Sequence, residues 1–126
     1  MTRVQRDEVA RAIRQAEEGT TGRIAVRVIP DADVNAFERA QREFGEIGLH
    51  KHEHENAALI LVAPKAQRFA VIGDRALHER VGDEFWNGIV EGSRPYFARG
   101  EIVPGILYAV GRVGDALQAH FRTVTA

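Results

Sequence analysis

No cysteine occurs anywhere in the 126-residue chain. That absence excludes disulfides, thiolate zinc sites, iron–sulfur clusters and cysteine nucleophiles together. An excess of one charge is missing too: 17 lysines and arginines stand against 18 aspartates and glutamates, a formal charge of −1 with no block of either sign. Such a balance supplies neither a nucleic-acid footprint nor a polybasic membrane patch. Long apolar runs are also lacking, and the longest, Ala57 to Ala63, is far too short to span a bilayer. The opening MTRVQRDEVARAIRQAEEG is charged throughout and has no apolar signal-peptide core, so a cytoplasmic location is expected. No glycine-rich phosphate loop, G-x-S-x-G elbow or H-E-x-x-H motif appears.

What is present is ordinary globular composition, 44% hydrophobic and 28% charged, at a length that buries a core without staples. A single domain over residues 1–126 is expected. Residues 3–18 carry Val9, Ala12, Ile13 and Ala16 at helical spacing, with Thr2 to cap and Gly19 to stop. GRIAVRVIP alternates as a half-buried strand ending at Pro30. Asp33 is placed to cap a second helix through Phe37, Ala40, Phe44 and Ile47, ending at Gly48. AALILVA is continuously apolar, as a strand covered on both faces must be. PKAQ then turns the chain into RFAVIGD, making an antiparallel hairpin. Helical spacing returns at Leu77 and Val81; Phe85, Trp86, Ile89 and Val90 continue that helix or start a second, ending near Ser93-Arg94-Pro95. A last helix is predicted from Pro104 to Phe121.

The order helix–strand–helix–strand–strand–helix–helix predicts an α/β fold, a three-layer α/β/α sandwich with a small mixed sheet flanked by helices. Its first two strands should be parallel, joined by a right-handed crossover.

Strand direction then decides which polar residues meet. If the first two strands start at one end, the third finishes there. That end gathers Glu17 to Thr21, His50 to Asn56, and Gly73-Asp74. Carboxylates and amide oxygens from separate loops are what calcium or magnesium requires. Asp74, Glu17, Glu55, Asn56 and His54 are therefore the candidate metal ligands, with calcium or magnesium ahead of zinc as the possible divalent cation. His50, His52 and His54 at alternate positions would suit a transition metal only on an extended backbone; otherwise they form a solvated, pH-responsive loop. Asp74 equally suits the cap of the helix that follows it. The aromatic residues Trp86, Tyr96, Phe97 and Tyr108 fit core packing by their spacing.

The same patches in the same order carry a family resemblance. A Glu–Thr pair precedes the first strand and Asn56 opens the apolar one. Ile72-Gly73-Asp74 follows, then a tryptophan helix and an F-x-x-G-x-x-x-x-G-I pattern from Phe97 to Ile106. From about Ala10 to Phe121 the chain resembles the TPM domain, named after a thylakoid lumen protein, a photosystem II repair protein and an acetylcholine-receptor modulator. The resemblance implies an α/β/α sandwich. It also implies a choice of functions: some relatives are similar to acid phosphatases, some bind calcium or other divalent cations through acidic residues at one end of the sheet, and others act as assembly or modulator modules. It points to Glu17, Asn56 and Asp74. Where relatives often open the second strand with Asn-Gly, this chain has Asn56-Ala57. Two functions follow as expectations: a cation-binding, phosphatase-like domain acting on phosphomonoesters, or a non-catalytic module that docks a protein partner.

Overall fold

The computed structural model describes residues 1–123; the last three residues of the expected 1–126 domain lie outside that range. Thr2 opens α1 (Arg3–Glu17) with a reciprocal cap, its hydroxyl accepting from the Gln5 N–H while the Gln5 side chain accepts from the Thr2 N–H. Gly19, at φ 74°, turns the chain out of the helix toward β1 (Arg23–Val28). Then follow α2 (Ala36–Glu46), β2 (Ala57–Ala63), β3 (Arg68–Gly73), α3 (Arg75–Val81), α4 (Asp83–Ala98) and α5 (Ile102–His120). Short 3-10 turns occupy Leu49–Lys51 and Pro64–Ala66.

The sheet order is β1-β2-β3, with β1 parallel to β2 and β3 antiparallel to it. Every residue of β2 is buried, and its two faces feed two separate cores. Ala58, Ile60 and Val62 pack with Val9, Trp86, Ile89, Ile106, Val110 and Leu117 from α1, α4 and α5. Ala57, Leu59, Leu61 and Ala63 pack with Ala36, Ala40 and Phe44 from α2. The expected three-layer α/β/α sandwich is the observed fold, with α2 alone forming the third layer.

Three boundaries differ from those expected. Asn35, not Asp33, caps α2, its Oδ1 accepting from the Glu38 N–H at 3.1 Å. The helix begins with the first residue of its buried face, Ala36, and the cap is the residue before it. Pro95 does not end α4, which continues to Ala98. Proline removes one backbone bond there, but Phe97 beyond it is held against the Phe69 ring at 4.7 Å, and that packing keeps the last turn helical. α5 starts at Ile102, so Pro104 falls in the first turn, where its missing N–H has no partner to lose.

One side-chain network ties α2 to the sheet, and a second contact joins two helices of the other layer. Glu43 of α2 is only 2% exposed and is gripped by Arg27 of β1 at 2.9 Å and Arg39 at 2.8 Å; Arg39 also reaches Asp31 at 2.9 Å. Its hydrogen bond to Asp31, followed by that to Glu43, holds the Arg39 guanidinium above its ordinary pKa against a partial loss of hydration. On the opposite face, Trp86 Nε1–H donates to His78 Nδ1 at 3.0 Å. Indole can only donate, so the neutral imidazole carries its proton on Nε2, 3.5 Å from Asp83.

The glycines of α5 divide by their surroundings. A Cβ at Gly114 would stand 2.7 Å from Ala16 Cβ, so this glycine is what lets α1 and α5 touch, whereas a Cβ at Gly111 meets nothing. Gly114→Ala should lower stability by about 1–3 kcal/mol through overpacking. Gly111→Ala should raise it by about 0.5–1 kcal/mol through helix propensity. Urea denaturation of both variants checks the pair; equal effects of one sign would refute the close α1–α5 approach.

Candidate functional site

The parallel pair β1 and β2 starts with Arg23 opposite Ala57, and antiparallel β3 ends with Gly73 opposite Ala58. The Asp74 N–H extends that ladder by one rung, donating to the Ala57 carbonyl at 2.8 Å. Three segments therefore converge at one end of the sheet, as strand direction requires: the α1–β1 turn, the loop entering β2, and the β3–α3 corner.

In the α1–β1 turn, Glu17 Oε2 accepts from the Ile24 N–H at 2.7 Å, fastening the end of α1 to the start of β1. The Thr20 hydroxyl donates to the Glu17 carbonyl at 2.8 Å and accepts from the Gly22 N–H at 3.2 Å. The loop entering β2 is stitched to this turn twice. His52 Nε2 donates to the Thr21 carbonyl at 2.7 Å, which fixes its proton on that nitrogen, and Asn56 Nδ2 donates to Thr21 Oγ1 at 2.8 Å.

Glu55 has a left-handed backbone, φ 52°, rare for a residue with a side chain. The conformation turns its carbonyl onto the first turn of α3, where it accepts from the Ala76 N–H at 2.9 Å. Its carboxylate meets Arg75 through Nη2 at 2.6 Å and Nε at 3.1 Å. That hydrogen bond first, and the Glu55 charge second, raise the Arg75 pKa above its ordinary value. Asp74 Oδ1 accepts from the Arg75 N–H at 2.8 Å, so Asp74 does cap α3.

The candidate ligands thus fall into groups. Glu17 belongs to the α1–β1 turn; Asn56 reaches that same turn through Thr21; Glu55 and Asp74 share the N-terminus of α3. His54 stands apart on the surface, 3.4 Å from Glu53, its ring 5.6 Å from that of His52. The three histidines are not aligned by an extended backbone, because a 3-10 turn spans Leu49–Lys51. No group of three His, Asp or Glu side chains is arranged to hold a metal ion among the described residues. Two buried acceptors nevertheless lack any protein donor: Asn56 Oδ1 and Asp74 Oδ2. A third unpartnered buried atom, Ser93 Oγ, lies elsewhere, in α4.

The sequence places Thr21 at this end of the sheet, but not its two contacts: its carbonyl takes His52 and its hydroxyl takes Asn56. Arg75 was not singled out. Arg75 follows a capping aspartate and looks like any solvated helix residue. The alternate histidine spacing was a real signal, but for His52 it marks a loop tether.

The family model of the TPM domain matches residues 1–116. Among solved structures, the chain is similar to the NMR structure of BA42 protein from the psychrophilic bacterium Bizionia argentinensis, with 27% identity and a TM-score of 0.87 over 97% of this chain and 84% of that one. It is also similar to the N-terminal domain of a protein from P. gingivalis, with 15% identity and a TM-score of 0.82 over 100% and 83% of the two chains. The N-terminal domain of cg2496 protein from Corynebacterium glutamicum follows at 11% identity and a TM-score of 0.73, over 98% and 78%. The last two likenesses are of fold alone. No curated protein matches the chain.

The Glu17–Ile24 bond yields a direct test. Glu17→Ala should cost about 1.5 kcal/mol, the worth of a hydrogen bond to a charged acceptor. Glu17→Gln, which keeps an acceptor oxygen, should lose less than half of that. Equal losses in denaturant titrations would show that the carboxylate does not hold β1.

Proposed function

The chain belongs to the TPM-domain family, and from that premise we propose that the end of the sheet bearing Asp74 and Asn56 binds a divalent cation, calcium or magnesium ahead of zinc. The observation that carries this reading is the pair of buried oxygens without donors, Asn56 Oδ1 and Asp74 Oδ2. A buried acceptor left unsatisfied costs about 1–3 kcal/mol, and both residues belong to the same end of the sheet, Asp74 lying across from Ala57, the residue after Asn56. A cation satisfies oxygen acceptors without needing a proton. An all-oxygen set suits a hard ion, and the His52 imidazole is already committed to Thr21.

Asp74 divides its work: Oδ1 caps α3 and Oδ2 is left for the ion. Asn56 divides its amide in the same way, with Nδ2 on Thr21. Glu17 and Glu55 each use Oε2 on a protein donor; Asn56 Oδ1 and Asp74 Oδ2 suffice as protein ligands, with water completing the shell of the ion. His54, paired with Glu53, belongs to the rim. When bound, such an ion supplies positive charge able to orient an anionic group such as a phosphomonoester. The chain's own contribution is placement: Glu55 and Asp74 are locked to α3, while Asn56 is locked to the Thr21 turn. Phosphatase-like hydrolysis is the reaction to test. The alternative, a non-catalytic interaction module, draws support from a different region, the open edge of β3.

Thermal melting after EDTA treatment, followed by addition of calcium, magnesium or zinc, tests the site. An ion at about 100 times its Kd should stabilise the fold by about 2.7 kcal/mol. Asp74→Asn should fold normally, since asparagine caps helices as well as aspartate, yet lose the calcium-dependent shift. No shift with any of the three metals would sink the cation reading. Hydrolysis of a generic phosphomonoester by the wild type that persists in Asp74→Asn would place any activity elsewhere.

A further inference from the structure

β3 is an edge strand, and its outer side is open. Because the Asp74 N–H bonds to Ala57, the alternate residues Arg68, Ala70 and Ile72 turn their backbone groups toward β2. Phe69, Val71 and Gly73 therefore turn their N–H and C=O groups away from the sheet. Among the described residues, no backbone bond from a turn, loop or cap reaches them.

These groups open into a groove of about 550 Å³ lined by five consecutive residues, Phe69 to Gly73. One wall comes from α2 through Phe37 and Gln41, the other from α4 through Trp86 and Val90. Phe37 stands on the lip 56% exposed, although the helical spacing of α2 suggested a core position. A second hollow, sharing Phe69 and Val90, continues the groove past Arg68 and Arg94. The trough thus has a charged end of each sign. Arg68 is exposed and has no ion-pair partner among the described residues, while Arg94 shares its charge with Glu91. Asp83, 88% exposed and 3.5 Å from His78, lines the groove together with Trp86, which stands against Gly73 at the opposite end of the strand.

We propose that this edge accepts an extended peptide segment of a partner protein as a fourth, antiparallel strand. The segment carries apolar side chains between the walls, a basic residue at its N-terminal end beside Asp83, and an acidic residue at its C-terminal end beside Arg68. Three outward-facing backbone pairs supply the hydrogen bonds, Phe37, Trp86 and Val90 supply apolar contact, and the opposed charges set direction. A second copy of the chain fits less well. Neighbouring strands lie about 4.8 Å apart, whereas helices need about 8–10 Å between axes. Two edges that each carry a wall on both faces would collide before their strands could pair, and a bare strand avoids that collision.

The test uses the whole chain in EDTA, so that it stands apart from the cation reading. The probe is a capped heptapeptide of alternating valine and threonine, with lysine at its N-terminus and aspartate at its C-terminus. At millimolar peptide, amide hydrogen exchange by NMR should slow at Phe69, Val71 and Gly73. N-methylation of the peptide residues that face β3 should abolish the effect, while methylation of the interleaved residues should leave it. A peptide with the end charges exchanged should bind about 2–5-fold more weakly, the worth of exposed ion pairs, and Arg68→Glu should narrow or reverse that preference. No protection at these three amides would overturn the proposal. So would protection that survives both methylation patterns. A sedimentation dimer with these amides protected before any peptide is added would also overturn it, by giving the edge to a second copy.

Discussion

The fold depends on one constraint: β2 is buried on both faces along its whole length. Seven consecutive residues with no solvent side need two covers, and one sheet face cannot share its cover with the other. One cover is the α1–α4–α5 group and the other is α2. The α2 cover is inserted between β1 and β2, returning the chain over one face to the end where β1 began, and those strands are parallel. The tight Pro64–Ala66 turn makes β3 antiparallel. From these two facts alone, the starts of β1 and β2 and the end of β3 fall at the same rim.

The two covers are attached by different physics. The larger layer is held by apolar area and by close approach of small residues, as where Gly114 meets Ala16. The smaller layer has less area to offer, and a buried carboxylate fastens it. Glu43 gives one oxygen to Arg27 on the sheet and the other to Arg39 on its own helix. Removing one partner of a buried charge costs more than the intact group contributes, so this network acts mainly to fix where α2 sits. The apolar contacts beneath it supply the attraction.

Much of this was legible in the sequence because it is periodic or local. The unbroken apolar run of β2, the Gly19 and Gly48 stops, the Thr2 cap and the Asp74 cap all lie within a few residues of their consequences. Strand direction then located the polar rim without any site motif. What could not be read depends on partners far along the chain. Glu43 looks like a solvated helix residue until Arg27, sixteen positions earlier, is brought beside it. Glu17 announces an acidic side chain but not that one of its oxygens is taken by Ile24. Asp33 and Asn35 are equally good caps, and only the burial of Ala36 decides between them. Pro95 reads as a stop because the contact between Phe69 and Phe97 is tertiary. Glu55 gives no warning of its left-handed backbone, which exists to serve a helix twenty residues away.

That last residue joins two parts of the molecule that are otherwise separate. Its carbonyl and its carboxylate both hold the first turn of α3, and the same short helix carries His78, the hydrogen-bond acceptor for the only tryptophan in the chain. The loop entering β2 is thus linked through α3 to the indole N–H by an unbroken chain of hydrogen bonds, so the emission of the single tryptophan is the natural optical readout for the state of the sheet rim.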